Sequence, residues 1–159
     1  MHELAFLVGR TVEQFRYPVN GLRVVFDQGD RVEPALYLDL EGPFTFATAG
    51  GAKHVIADDL SGLGAVFALA GERVERVATT NGTLVLEFSD GSTIRCDPDP
   101  EYEAWQVVGG DPFGLVICTG GGELAIWDRR EPPLSSEEAR KLFRDLGLGP
   151  SPPESPAND

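Results

Sequence analysis

V-E-R-V-A-T-T-N-G-T-L-V-L-E-F-S-D-G-S-T-I-R-C, residues 74–96, is the stretch on which the fold turns. A run from Arg73 to Thr79 stops at Asn81-Gly82, a pair that tolerates positive φ at both positions and so favours a two-residue hairpin turn. Thr83 to Phe88 then sets an apolar residue at every second position, Asp90-Gly91 turns the chain again, and Ser92 to Cys96 returns. Period-two alternation between turn signals reads as half-buried strand. The stretch is a three-stranded antiparallel meander with one apolar face.

A second stretch of the same kind lies nearer the start. Thr11 to Tyr17 runs into Pro18-Val19-Asn20-Gly21, Leu22 to Asp27 follows, Gln28-Gly29-Asp30 breaks it, and Ala35 to Leu40 alternates before Gly42-Pro43. V-E-Q-F-x(5)-G-L-R-V-V-F-D-Q-G from Val12 aligns with V-E-R-V-x(4)-G-T-L-V-L-E-F-S-D-G from Val74. A sheet with one apolar face needs a partner to cover it, and two such sheets can cover each other. The expected fold is therefore mainly β, a β-rich α+β chain. Two similar antiparallel meanders (halves 9–46 and 71–127) pack as a sandwich or a partly open barrel.

Two helical patterns complete the chain. Leu60 to Leu69 has helical spacing and stops at Gly71, giving a short middle helix between the halves. After Pro132-Pro133, Ser135 and Glu138 form a capping box, and Ala139, Leu142, Phe143 and Leu146 make one apolar stripe before Gly147. The expected organisation is one β-rich domain over 1–130, a capped C-terminal helix over 134–146, and a proline-rich disordered tail over 147–159. Leu142, Phe143 and Leu146 are the candidate surface of a partner helix.

Composition narrows the function. The chain has 159 residues, 42% of them hydrophobic, enough for a real core. A net charge of −13 opposes a broad basic surface for nucleic acid. No apolar run approaches the roughly 20 residues of a membrane helix, and no signal peptide is present, so a cytoplasmic location with reduced Cys96 and Cys118 is expected. The arginine-, alanine-, glycine- and proline-rich usage suggests a bacterial source with a GC-rich genome.

The catalytic inventory is thin. His54 is the one histidine away from the mobile start, and it reads as a loop residue rather than a base. No zinc spacing occurs, no cofactor is implied, and Gly50-Gly51, Gly109-Gly110 and Gly120-Gly121-Gly122 match no phosphate loop. Asp97-Pro98-Asp99-Pro100-Glu101-Tyr102-Glu103 carries oxygen ligands, but its prolines oppose a calcium wrap, leaving a solvated acidic loop. The candidate binding patch is Tyr102, Glu103, Trp105, Cys118, Glu123 and Trp127. The competing reading buries Trp105 and Trp127 as core fillers, and for both tryptophans core packing is favoured.

Gly82 to Gly91 as G-x-L-x-L-x-F-x-D-G, then Tyr102-Glu103-Ala104-Trp105, then Gly121-Gly122-Glu123-Leu124-Ala125-Ile126-Trp127 occur in that order. This sequence resembles a family of small, mostly actinobacterial proteins, the domain of unknown function 6188. The resemblance is good over about 71–128 and looser over 9–70. It implies a compact β-rich domain and brings no catalytic residues with it.

The leading functional expectation is a non-enzymatic protein acting through a protein partner, a basic one among the candidates, with an acidic immunity or inhibitor protein as one concrete form. The alternative is a small-molecule-binding β-domain with Tyr102, Trp105, Cys118 and Trp127 around an apolar pocket. A homo-oligomeric module, using a sheet edge or the C-terminal helix for a homodimer, is the third.

Overall fold

A computed structural model describes residues 3–18, 21–27, 36–55, 60–109 and 113–128, with Glu137 and Lys141 beyond them. Eleven strands and one short helix occur among these residues. The strands are β1 (Val12–Arg16), β2 (Leu22–Phe26), β3 (Leu36–Leu40), β4 (Phe44–Thr48) and β5 (Gly51–Val55), followed by the helix α1 (Leu60–Val66). Then come β6 (Val74–Thr80), β7 (Thr83–Phe88), β8 (Thr93–Cys96), β9 (Trp105–Val108), β10 (Phe113–Cys118) and β11 (Leu124–Asp128). They form two antiparallel sheets, ordered β1-β2-β3-β9-β10-β11 and β5-β4-β8-β7-β6, and neither closes into a barrel. Both expected meanders are present as β1-β2-β3 and β6-β7-β8. Of the expected C-terminal helix, Glu137 and Lys141 are helical; Leu142, Phe143, Leu146 and the 147–159 tail lie outside the described residues.

Alternation builds the core. In β7 every second residue, Leu84, Leu86 and Phe88, is buried, while Thr83, Val85 and Glu87 are half-exposed. The turn into β7 has Asn81 at φ 50° and Gly82 at φ 80°, the left-handed pair that matches the twist of the flanking strands. Leu22, Val24, Phe26, Leu38, Leu40, Trp105, Val107 and Val116 come from one sheet. Phe44, Phe46, Leu84, Leu86, Phe88, Ile94 and Cys96 come from the other, and the two sets meet in a single apolar cluster.

The meanders do not stay apart. After β3 the chain crosses to the opposite sheet, where β4 pairs with β8; after β8 it crosses back, where β9 pairs with β3. Each sheet is thus a meander from one half extended by strands from the other. The two halves also follow one another at a constant spacing. Short 3-10 turns cover Ala5–Leu7 and Phe67–Leu69, and Gly9 and Gly71 both have φ 88°. Thr11 N donates to the Asp27 carboxylate and Arg73 N donates to the Ser89 hydroxyl. Val12 N donates to Glu72 O and Val74 N to Arg10 O, each at 2.8 Å, tying the two strand starts together. Register shifts fall between Val12 and Gln14 in β1 and between Val74 and Arg76 in β6, bending both strands at the glutamate.

No helix among the described residues is long and apolar enough to cross a membrane. The chain divides into two units, residues 1–129 and 130–159. All strands among the described residues belong to the first.

Candidate functional site

The six residues expected to form a patch are split between interior and surface. Trp105 and Cys118 pair across β9 and β10 and are fully buried. Trp105 Nε1 donates to the Gly82 carbonyl at 2.8 Å, and the Cys118 thiol reaches the same oxygen at 3.4 Å. An indole inside a core needs such a partner. Both side chains tie the six-stranded sheet to the β6–β7 hairpin, and neither presents a surface. Tyr102, Glu103 and Glu123 are exposed. Trp127 departs from the core expectation: it is 54% exposed on the last strand of its sheet. Its side chain alternates with Leu124 and Ile126, so it points away from the facing sheet rather than toward it.

The buried thiols are chemically quiet. Burial first, then neighbouring Cys118 and Asp97, pushes the Cys96 thiol up to about 12; burial also raises Cys118. The thiolate is the reactive form. At neutral pH both cysteines should therefore resist a water-soluble disulfide reagent until denaturant is added, and then both should react. Rapid labelling of the native protein would contradict their placement.

The acidic loop between β8 and β9 is organised by its own carboxylates. Asp97 accepts from Arg95 at 2.7 Å and from Thr83 at 2.9 Å, while Asp99 accepts the backbone N–H groups of Glu101 and Tyr102 at 2.8 and 2.9 Å. These bonds hold both carboxyls below the usual range. Gly120 lies so close to the loop that an added Cβ would sit 2.6 Å from Glu101 O, which accounts for glycine there. Among the described residues no three His, Cys, Asp or Glu side chains gather as metal ligands. A shallow cleft of about 400 Å³ lies beside the hairpin, lined by Glu3, Thr79, Thr80, Asn81, Gly82, Gly122 and Leu124. Its wall is mostly polar, and Tyr102, Trp105, Cys118 and Trp127 are not part of it. His54 lies in β5, its backbone opposite Thr45.

The distinctive surface is the outer face of the six-stranded sheet. The register places Val25, Tyr37, Val108, Leu115 and Trp127 in one continuous row across β2, β3, β9, β10 and β11. The adjacent row runs Arg23, Asp39, Gln106, Ile117 and Ala125. The outer face of the other sheet has a different character: Arg76 pairs with Glu87, Arg95 pairs with Asp97, and threonines Thr45, Thr83 and Thr93 lie among them. A solvated sheet face is normally of the second kind. Among these face residues, the sequence reading singled out Trp127 alone. Consecutive apolar residues, Val24-Val25, Val107-Val108 and Leu115-Val116-Ile117, place apolar side chains on both faces of three strands of this sheet, as Leu84-Val85-Leu86 does on one strand of the other.

A polar cluster lies within the apolar face. Arg23 grips Asp39 with two hydrogen bonds of 2.6 and 2.8 Å and stacks 3.9 Å above the Tyr37 ring. The Asp39 carboxylate, chiefly through these bonds, raises Arg23 above its ordinary value. Gln106 Nε2 donates to Asp39 at 3.1 Å and to Glu41 at 3.2 Å. Partial desolvation first, then the Glu103 and Asp39 carboxylates, push Glu41 above its ordinary value. Replacing Arg23 with alanine leaves the 5%-exposed Asp39 without its cation and is expected to cost about 1–3 kcal/mol in urea unfolding. Arg23→Met combined with Asp39→Leu should recover most of that loss. A double variant as unstable as Arg23→Ala would show that packing, not the stranded carboxylate, sets the cost.

A family model described as a family of unknown function (DUF6188) matches residues 33–128, which span β3 to β11. No curated protein and no solved structure matches the chain.

Proposed function

The chain belongs to the family of unknown function DUF6188, and from that premise we propose that it is a non-catalytic protein-binding module whose working surface is the outer face of the six-stranded sheet. The observation that carries this reading is the apolar row Tyr37, Val108, Leu115 and Trp127, half-exposed to exposed and continued by the buried Val25, set on a face that solvent would otherwise favour as polar. Aromatic anchors beside a rim of hydrogen-bonding groups are what protein interfaces use. Here Tyr37 and Trp127 are the anchors, and Glu41, Glu103 and Gln106 are the rim, with Gln106 bonded to the buried Asp39.

The partner is expected to be basic. A chain of net charge −13 steers cations toward itself, and Glu41 is held high partly by neighbouring carboxylates that an incoming cation would relieve. Affinity should then rise as pH increases through the raised Glu41 titration, because the ionised form is the one a cation favours. An acidic inhibitor seated on the basic site of another protein is one form of this reading. The location it implies is the cytoplasm, where Cys96 and Cys118 stay reduced.

Capture from a lysate of the source organism tests the reading through paired variants. Val108→Asp places a charge in the apolar row, and Val85→Asp does the same on the outer face of the other sheet. The expected result is a partner retained by wild type and Val85→Asp and lost with folded Val108→Asp. Equal loss with both variants, or loss only with Val85→Asp, would overturn the assignment of the face.

A further inference from the structure

We propose that β11 is an edge at which a second copy of this chain adds its own β11 antiparallel, joining the two six-stranded sheets into one. The inference goes beyond the outer-face reading and does not depend on it. Exposed sheet edges invite pairing unless charge, proline or a bulge blunts them. Of the four edge strands, β1 and β6 carry bulges at Glu13 and Glu75 and present Arg16 and Arg76 nearby. β5 begins with glycine and contains Lys53. β11 is Leu-Ala-Ile-Trp-Asp, with Asp128 its one ionisable residue, and the bulge in its pairing lies on the β10 side between Phe113 and Leu115. Ile126 and Trp127 are 40% and 54% exposed, on opposite faces of that edge. Among the described residues no strand lies on its open side.

The hydrogen-bond phase selects the residues that would pair. Thr119 N donates to Glu123 O at 2.9 Å, and on the far side of β10 Gly109 N donates to Gly114 O at 3.0 Å. Antiparallel bonding alternates residue by residue from these two points. Ala125 and Trp127 therefore turn their N–H and C=O groups to β10, and Leu124 and Ile126 turn theirs to the open edge. A two-fold pairing centred on Ile126 joins those outward groups. It sets Ile126 against Ile126 of the second copy, places each Trp127 opposite the small Ala125, and keeps the two Asp128 positions at opposite ends opposite Leu124. Two copies of net charge −13 repel, so a stable contact between them needs a strand poor in charge; β11 has one carboxylate, Asp128, and the two-fold pairing keeps it at the opposite end from its counterpart.

Sedimentation of the full chain over a concentration series tests the proposal. Ile126→Pro removes one outward N–H and leaves the pairing with β10 in place, as proline is tolerated on an edge strand in that position. Wild type should sediment as a dimer that dissociates on dilution, and Ile126→Pro should sediment as a folded monomer at every concentration. Should Ile126→Pro fail to fold, Ile126→Lys reads the same loss. A wild-type monomer throughout overturns the proposal, as does a dimer that survives both substitutions. A chain ending at Arg129 that dimerises when the full chain does not would also overturn it, assigning the edge to residues 130–159 instead. A monomeric wild type that still loses a partner with Val108→Asp would leave the outer-face reading standing alone.

Discussion

Truncating Trp105 to alanine is expected to destabilise the protein by about 3–5 kcal/mol. The side chain is fully buried, so its removal leaves a cavity lined by both sheets. It also removes the Nε1 donor that the Gly82 carbonyl accepts at 2.8 Å, leaving that carbonyl with the weak Cys118 thiol alone. Trp127→Ala, which removes a half-exposed side chain, should cost far less. Urea unfolding of the two variants checks the contrast. Fluorescence checks it without a stability change: in Trp127→Phe the remaining Trp105 should emit blue-shifted and resist aqueous quenchers, and in Trp105→Phe the remaining Trp127 should be quenched readily. Equal quenching in the two variants would contradict the assignment.

Gly82→Ala is the second large effect, expected at about 2–5 kcal/mol from a left-handed backbone and an overpacked contact together. Gly82 has φ +80°, and a Cβ there would lie 2.5 Å from Gly122 Cα and 2.7 Å from Gly122 O. Both obstructing atoms are backbone, so no side chain can swing aside. The shift needed to relieve the clash also moves the carbonyl that Trp105 and Cys118 share. Gly91→Ala isolates the two causes, because Gly91 has φ +82° with nothing within 4 Å of the added carbon. It should lose only the conformational part, about 1–2 kcal/mol. Equal losses at the two positions would show that the approach of Gly122 does not constrain the hairpin.

The meanders were legible because their evidence is local. Asn81-Gly82 dictates a turn, and T-L-V-L-E-F sets an apolar residue at every second position, Leu84, Leu86 and Phe88, so β6, β7 and β8 follow from neighbouring residues. The family resemblance rested on the same stretch and the two tryptophan motifs, and the matched region extends back to residue 33. The crossing of β4 and β9 into opposite sheets was not legible. Phe44 to Val55 forms a further hairpin that was not read from the sequence, and nothing in its own residues says which meander it extends. That choice is made by pairings between residues about fifty positions apart, such as Phe46 with Ile94. The candidate site was half legible for a related reason. Trp105 and Trp127 each close a short motif with a glutamate and alanine, Y-E-A-W and G-G-E-L-A-I-W, yet Trp105 shares a face with the buried Leu40 and Cys118 while Trp127 shares the outer face with Leu115. Register, which sequence does not display, decides which face each side chain takes and so makes one a core residue and the other a surface residue. The outer-face row is assembled from single residues of five strands and appears only once the register is known.

The central claim is that the outer face of the six-stranded sheet is the working surface. Its most direct test is a photo-reactive amino acid introduced at Leu115 in that face, and separately at Val85 on the outer face of the other sheet, with crosslinking performed in living cells. Both positions are half-exposed on strand interiors, so they differ in face rather than in accessibility. The account predicts a discrete protein adduct from position 115 and none from position 85. An adduct from position 85 alone, or no adduct from either, would contradict it.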